Sequence, residues 1–216
     1  MNLCDCTSRV LLCALFFGFT FQAIGSGFRE KIGFYQWVGP PISSGEVDSL
    51  TAAREQTTTL GAKVFRFYVG ARFDYVHRLF SKRRFKGDSV EGRLTPAKIM
   101  DIPRYRAVLE DPKLKTIILT VYPILNYGAG PDDISFTRPW GTREREAEFS
   151  QTTELCSYLY REFGQLDKTV ILTNTEADNK LLDVVNYTDS PELALQNLRI
   201  WTQTRFDALD QVRRRN

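Results

Sequence analysis

Cysteine and histidine are nearly missing from this chain, and each shortage removes a class of chemistry. Of four cysteines, Cys4, Cys6 and Cys13 fall at the start, where one basic residue, Arg9, precedes an apolar run from Val10 to Ile24. That run falls short of the roughly 20 apolar residues a membrane span needs and reads as a secretory leader. Ala23 and Gly25 place small residues before a cleavage point at Ser26. Residues 1–25 are therefore expected to be a signal peptide and the product secreted or periplasmic, with an uncleaved membrane anchor as the alternative. Past the leader only Cys156 remains, which excludes an internal disulfide; between Leu155 and Leu159 it reads as a buried, inert thiol. The one histidine, His77, has no second ligand at a usable spacing, so no metal site is expected. With no G-x-S-x-G elbow either, a serine or cysteine hydrolase centre is disfavoured.

Charge of one sign is also lacking. The formal net charge is +3, and loss of residues 1–25 removes one acid, Asp5, and one base, Arg9, leaving that balance unchanged. The basic stretch from Arg78 to Lys86 reads as a solvated loop, so no nucleic-acid partner is expected. A phosphate-cradling glycine turn is missing as well: the first strand candidate, Lys31 to Val38, ends in the rigid Gly39-Pro40-Pro41. No cofactor is implied.

What is present is a repeated strand-and-helix rhythm. Ser43 and Glu46 form a capping box before a helix with Val47, Leu50, Ala53 and Leu60 at helical spacing, and Gly61 is its expected left-handed terminator. A second strand, Ala62 to Val69, follows; a long irregular stretch and a short helix near Ile102 to Glu110 lead to a third strand, Lys115 to Tyr122. A helix from about Arg143 to Phe163, ended by Gly164, precedes a fourth strand, Thr169 to Thr175. Pro191 after Ser190 opens a last helix, with Leu195, Leu198, Phe206 and Leu209 as its expected inner face. Alternating strands and helices imply right-handed crossovers and a parallel sheet. The expected fold is α/β, a partial (β/α)8 TIM barrel made of the first four βα units with parallel strands, in one domain over residues 26–216, since eight units take roughly 250 residues.

The fourth strand ends in Asn174-Thr175-Glu176, with Asp178 two residues on. Ile171 and its neighbours read as a strand covered on both faces, whose C-terminal tip is where α/β proteins place their chemistry. Alternate residues share a face, so Asn174 and Glu176 are expected to project together, and Arg66 near the end of strand two is expected to converge with them.

On these residues the chain resembles the clan of eight-fold-barrel retaining glycoside hydrolases, in which a Glu at the end of strand four is the general acid/base, typically preceded by Asn, and an Arg stands near the end of strand two. Here Thr175 separates Asn174 from Glu176, where the clan usually has them adjacent. The resemblance implies Glu176 as acid/base, with Asn174 and Arg66 orienting substrate. It also implies a second Glu from strand seven, which four strands do not supply. Asp178 is the nearest substitute, at about 7 Å if the strand continued, a separation within the inverting range.

Strand-end aromatics, among them Trp37, Tyr122 and Trp140, are candidates for stacking on sugar rings, and Asn186-Tyr187-Thr188 is a glycosylation sequon. The expected function is a secreted glycoside hydrolase-like protein, a truncated enzyme or one whose other half comes from elsewhere. The alternative is a non-catalytic exported carbohydrate-binding or interaction protein on the same scaffold. A carbohydrate ligand is expected, no stable membrane span after leader removal, and self-association or a partner half at the open sheet edges.

Overall fold

The computed structural model describes residues 33–35, 49–69, 95–122, 139–174 and 191–216. The leader, Trp37, the Ser43 capping box, His77, the basic stretch, Glu176, Asp178, the sequon and Ser190 lie outside the described residues.

Among the described residues nine elements follow one another: β1 Gly33–Tyr35, α1 Ser49–Thr59, β2 Val64–Val69, α2 Pro96–Met100, α3 Pro103–Glu110, β3 Thr116–Val121, α4 Thr142–Phe163, β4 Thr169–Asn174 and α5 Pro191–Arg213. The strands form one sheet in the order β1-β2-β3-β4, and every neighbouring pair is parallel. The fold is mixed α/β around a small parallel sheet. Val69, Val121 and Asn174 stand level at its C-terminal end.

Local chemistry explains the boundaries. Strands β2 to β4 are mostly β-branched, aromatic and leucine residues, which suit a pleated, packed surface. Gly61 has a φ of 76°, the left-handed conformation that lets Ala62 N–H return to Thr57 O at 3.1 Å and sends the chain into β2. The Thr95 hydroxyl accepts from Lys98 N–H at 3.3 Å, and Pro96 opens α2. At the start of α4 the Glu144 carboxylate reaches back to Gly141 N–H at 3.0 Å. Gly164 ends α4 with a right-handed φ of −63°, not the left-handed conformation of Gly61. A Cβ there would lie 2.4 Å from Tyr160 O, so close approach to the last turn is what requires glycine.

The two faces of the sheet differ. Phe65, Phe67 and Val69 of β2, Ile117, Leu119 and Val121 of β3, and Val170 and Leu172 of β4 share one core with Leu50 of α1, Ile99 and Met100 of α2, Tyr105 and Leu109 of α3, and Leu155 and Leu159 of α4. Side chains alternate along a strand, so Arg66, Tyr68, Ile118, Thr120, Ile171 and Thr173 project to the opposite face. Ile171 is 41% exposed there, which corrects the expectation that β4 is covered on both sides. Its unbroken apolar run serves two different surroundings, a helix-packed face and one that the described helices leave uncovered, on which Ile171 is exposed while Tyr68 and Thr120 are buried.

The last helix is rotated from its expected setting. Ala194, Asn197, Trp201, Thr204, Ala208 and Val212 are its buried residues, while Leu195 and Phe206 are 58% and 63% exposed. Two alanines, with Asn197 and Trp201 bonded to α4 and the segment before it, seat α5 on α4. The leucine stripe is thereby displaced to the flank. At the N-terminal end of the strands, Lys168 Nζ donates to Leu114 O at 2.9 Å and to Asp111 O. Burial holds the Lys168 ammonium below its ordinary pKa, and the neighbouring Lys115 acts in the same direction.

Candidate functional site

Two clusters occupy the C-terminal end of the sheet, one on each face. On the uncovered face, Arg66 Nε donates to Thr120 Oγ1 at 2.9 Å, and Thr120 Oγ1 lies 3.1 Å from Thr173 Oγ1. Thr173 Oγ1 donates to Leu119 O at 3.3 Å. With that bond made, the order of donors follows: guanidinium to Thr120, Thr120 hydroxyl to Thr173, Thr173 hydroxyl to the backbone. The relay crosses β2, β3 and β4. Above it the rings of Tyr68 and Tyr122 stand 6.2 Å apart at 53°, a tilted aromatic pair.

The helix-facing cluster is built around Arg205 of α5. Its Nη1 donates to Val121 O at 3.0 Å and to Asn174 Oδ1 at 2.9 Å, and Nη2 donates to Tyr122 O at 2.8 Å. Its Nε donates to Glu148 Oε1 of α4, which also accepts from Trp201 Nε1 at 3.0 Å. The guanidinium lies 4.5 Å from the Trp201 ring. Side-chain exposures of 12% for Arg205 and 2% for Glu148 make this a buried ion pair. Arginine suits the position because one planar fork serves a carboxylate and two strand-end carbonyls together.

The sequence-derived candidates thus divide. Arg66 and Tyr122 share the uncovered face. Asn174 does not join them: it faces α5, its Nδ2 donating to Thr202 Oγ1 at 3.1 Å and its Oδ1 accepting from Arg205. The expected convergence of Arg66 and Asn174 is corrected on this point, because in the parallel register Asn174 is level with Val69, whose side chain belongs to the helix-packed face. Trp140 is likewise corrected as a sugar platform: it is 6% exposed and packs with Ala194 and Trp201, while its backbone N–H donates to Asn197 Oδ1 at 3.0 Å. Glu176, Asp178 and Trp37 lie outside the described residues.

Sequence reading missed Thr120, Thr173 and the partners of Asn174 in the second cluster, Arg205, Glu148, Trp201 and Thr202. The threonines carried a signal, since each is the fifth residue of its strand and the two pair directly in register. Arg205 carried none, being one arginine of a long amphipathic helix.

Cys156 is buried, and burial pushes its thiol up to about 11, so it is protonated and unreactive at neutral pH. Among the described residues no group of three or more His, Cys, Asp or Glu is arranged to hold a metal. No helix among them is long and apolar enough to cross a membrane. Comparison with family models, curated proteins and solved structures found no match to this chain.

Proposed function

We infer that this chain is a secreted glycoside hydrolase-like protein whose sheet is four consecutive strands of a (β/α)8 barrel, with a carbohydrate bound at the C-terminal end of the uncovered face. The observation that carries this reading is the Arg66–Thr120–Thr173 relay beside the Tyr68–Tyr122 pair. Strictly sequential parallel order supports the barrel: successive right-handed crossovers place each helix on the same side, whereas an open doubly wound sheet reverses order to cover both faces. A sheet wound in one direction covers its other face by closing on itself.

Sugar recognition needs flat apolar surface for the C–H face of the ring and directed donors and acceptors for its hydroxyls. Tyr122 provides the first, and Arg66 and Thr173 the second; Tyr68 and Thr120 are buried behind them and hold them in place. Glu176, two residues beyond Asn174, is the general acid/base of this reading, protonating the leaving oxygen of a glycosidic bond. The chain enters that segment from a fixed point, since α5 grips the Asn174 amide at both ends. A full double-carboxylate mechanism needs a second carboxylate about 5 to 5.5 Å away for retention, or farther for inversion; Asp178 is the candidate within this chain. Residues 1–25 act as the export leader in this reading.

A non-catalytic carbohydrate-binding protein is the second reading. It is favoured by the makeup of the uncovered face, which among the described residues of β2 to β4 carries no carboxylate. Titration of oligosaccharides, followed by amide chemical shifts, tests both. The expected result is saturable binding that weakens about tenfold or more in Arg66→Met and Thr120→Val, since each removes a directed hydrogen bond. Unchanged affinity in both variants sinks the sugar site. Loss of aryl-glycoside hydrolysis in Glu176→Gln with binding retained marks an enzyme; binding without hydrolysis in either protein marks the second reading.

A further inference from the structure

The edge of β4 and the flank of α5 beside it form an apolar surface left uncovered by the described residues. β4 pairs with β3 alone among the described strands. Thr169 N–H donates to Lys115 O at 2.9 Å. In a parallel strand the N–H direction alternates, so those of Val170, Leu172 and Asn174 point away from β3, along the open edge. Next to them lie two cavities of about 330 and 220 Å³ that share Leu172 and Leu209; Leu155 and Phe206 wall the first, Leu159 and Leu166 the second. β4 carries neither charge nor proline, the devices that commonly protect an edge from pairing.

We propose that a second copy of this chain covers this edge, its β1 lying parallel to β4, so that two chains close one eight-stranded barrel about a two-fold axis. The proposal rests on the barrel reading above. Strand direction and strand count select the occupant. Because the four strands are parallel and in sequence order, the sheet formed by the described residues has two edges, one on β1 and one on β4. A second β1 placed beside β4 continues both the direction and the order, and sets the second chain's helices on the same side as the first's. The two-fold operation repeats the seam on the other side, leaving no edge open. Eight strands is also the number at which a barrel interior is just filled by side chains.

An antiparallel β4–β4 contact would satisfy neither condition, since both β1 edges would stay open. Within the closed barrel, Ile118 and Ile171 enter a shared interior, and the Arg66 relay of one copy faces that of the other across the mouth. The sugar site would be complete only in the dimer.

Light scattering after size exclusion, across a concentration series of the whole chain, gives the first measurement, and hydrogen exchange at β4 gives the second. The expected result is twice the monomer mass, with slow exchange at Val170, Leu172 and Asn174. Ile171→Lys, which puts a charge in the closed interior, and Leu209→Arg, which charges the flank, should each yield monomers with unchanged far-ultraviolet dichroism and exchange at those three amides faster by at least tenfold. A monomeric wild-type chain overturns the proposal, whether its β4 amides exchange quickly or are protected by the chain's own residues. A dimer whose β4 amides exchange quickly overturns it too, because the copies then meet elsewhere. A monomer that still binds sugar through Arg66 refutes the dimer alone, so the two readings can fail separately.

Discussion

Removing Arg205 should be the most damaging single change in the described part of the molecule. Arg205→Met keeps much of the aliphatic stem over Trp201 but deletes every polar contact of the guanidinium. Four acceptors then lose a donor: Glu148 Oε1, Val121 O, Tyr122 O and Asn174 Oδ1. The carboxylate matters most, because Glu148 is 2% exposed and would lose its guanidinium partner while staying buried, with Trp201 Nε1 still donating to it. Breaking a buried pair from one side costs about 3–5 kcal/mol. Each carbonyl left dry would add about 1–3 kcal/mol, and water entering from the adjacent cavity would lower that addition.

A loss of about 4 kcal/mol is a large part of the roughly 5–15 kcal/mol that holds a domain folded. At about 2–4 °C per kcal/mol for a chain of this size, the melting temperature should fall by about 10 °C. Urea unfolding is the assay, with the midpoint shifting at constant slope. The companion variant Glu148→Gln should cost less, since its amide oxygen still accepts from Trp201 and Arg205 while the guanidinium keeps its carbonyl partners. A double change, Arg205→Met with Glu148→Leu, should recover part of the single loss, as replacing both ends of a buried pair commonly does. An Arg205→Met protein within 1 kcal/mol of the parent would refute the argument, because the strand ends would then not depend on this side chain.

Three other outcomes follow from separate parts of the structure. Cys156 has its pKa raised to about 11 by burial, so the folded state holds this proton more tightly than the unfolded one; the resulting stability, about 3 kcal/mol, is fully present below pH 9 and lost as pH rises through 11, and Cys156→Ala should flatten that part of the pH–stability curve. The same thiol should react with a disulfide reagent at pH 8 only on the timescale of unfolding, measured by release of the chromophore. Gly61→Ala places a Cβ at a φ of 76° and should cost about 1–2 kcal/mol in urea unfolding with no change in oligomer mass, as a left-handed strain localised to the turn before β2 requires.

The architecture was legible where composition and period agree. Strands β2, β3 and β4 lie within a residue or two of their expected limits, and Gly61 and Pro191 mark the boundaries read from them. Parallel pairing followed from the alternation of strands with helices, which leaves no short return for an antiparallel neighbour. The setting of α5 was not legible in the same way. Leucine and phenylalanine at helical spacing specify an apolar stripe but not which neighbour receives it. Here small and polar residues took the contact with α4 because Trp201 and Arg205 share the buried Glu148 of that helix and Asn197 accepts from Trp140 just before it.

Asn174 shows the same limit at the level of one side chain. An amide at the C-terminal tip of a parallel strand has two faces available, and period-two projection says which residues share its side without saying which side that is. The register decides it: Asn174 is level with Val69, and Val69 belongs to the helix-packed face. Residues one step earlier, Thr120 and Thr173, therefore face the uncovered side, and Arg66 reaches them along the sheet. A polar strand tip is thus evidence for chemistry only after its parity relative to the core is known. In this chain parity divides the polar residues into a buried clamp that fixes the strand ends and a hydroxyl–guanidinium relay directed away from the helices. The two sets differ physically: the clamp is a dry, paired charge network, whereas the relay joins a half-buried guanidinium to hydroxyls of which Thr120 is fully buried and Thr173 only partly so.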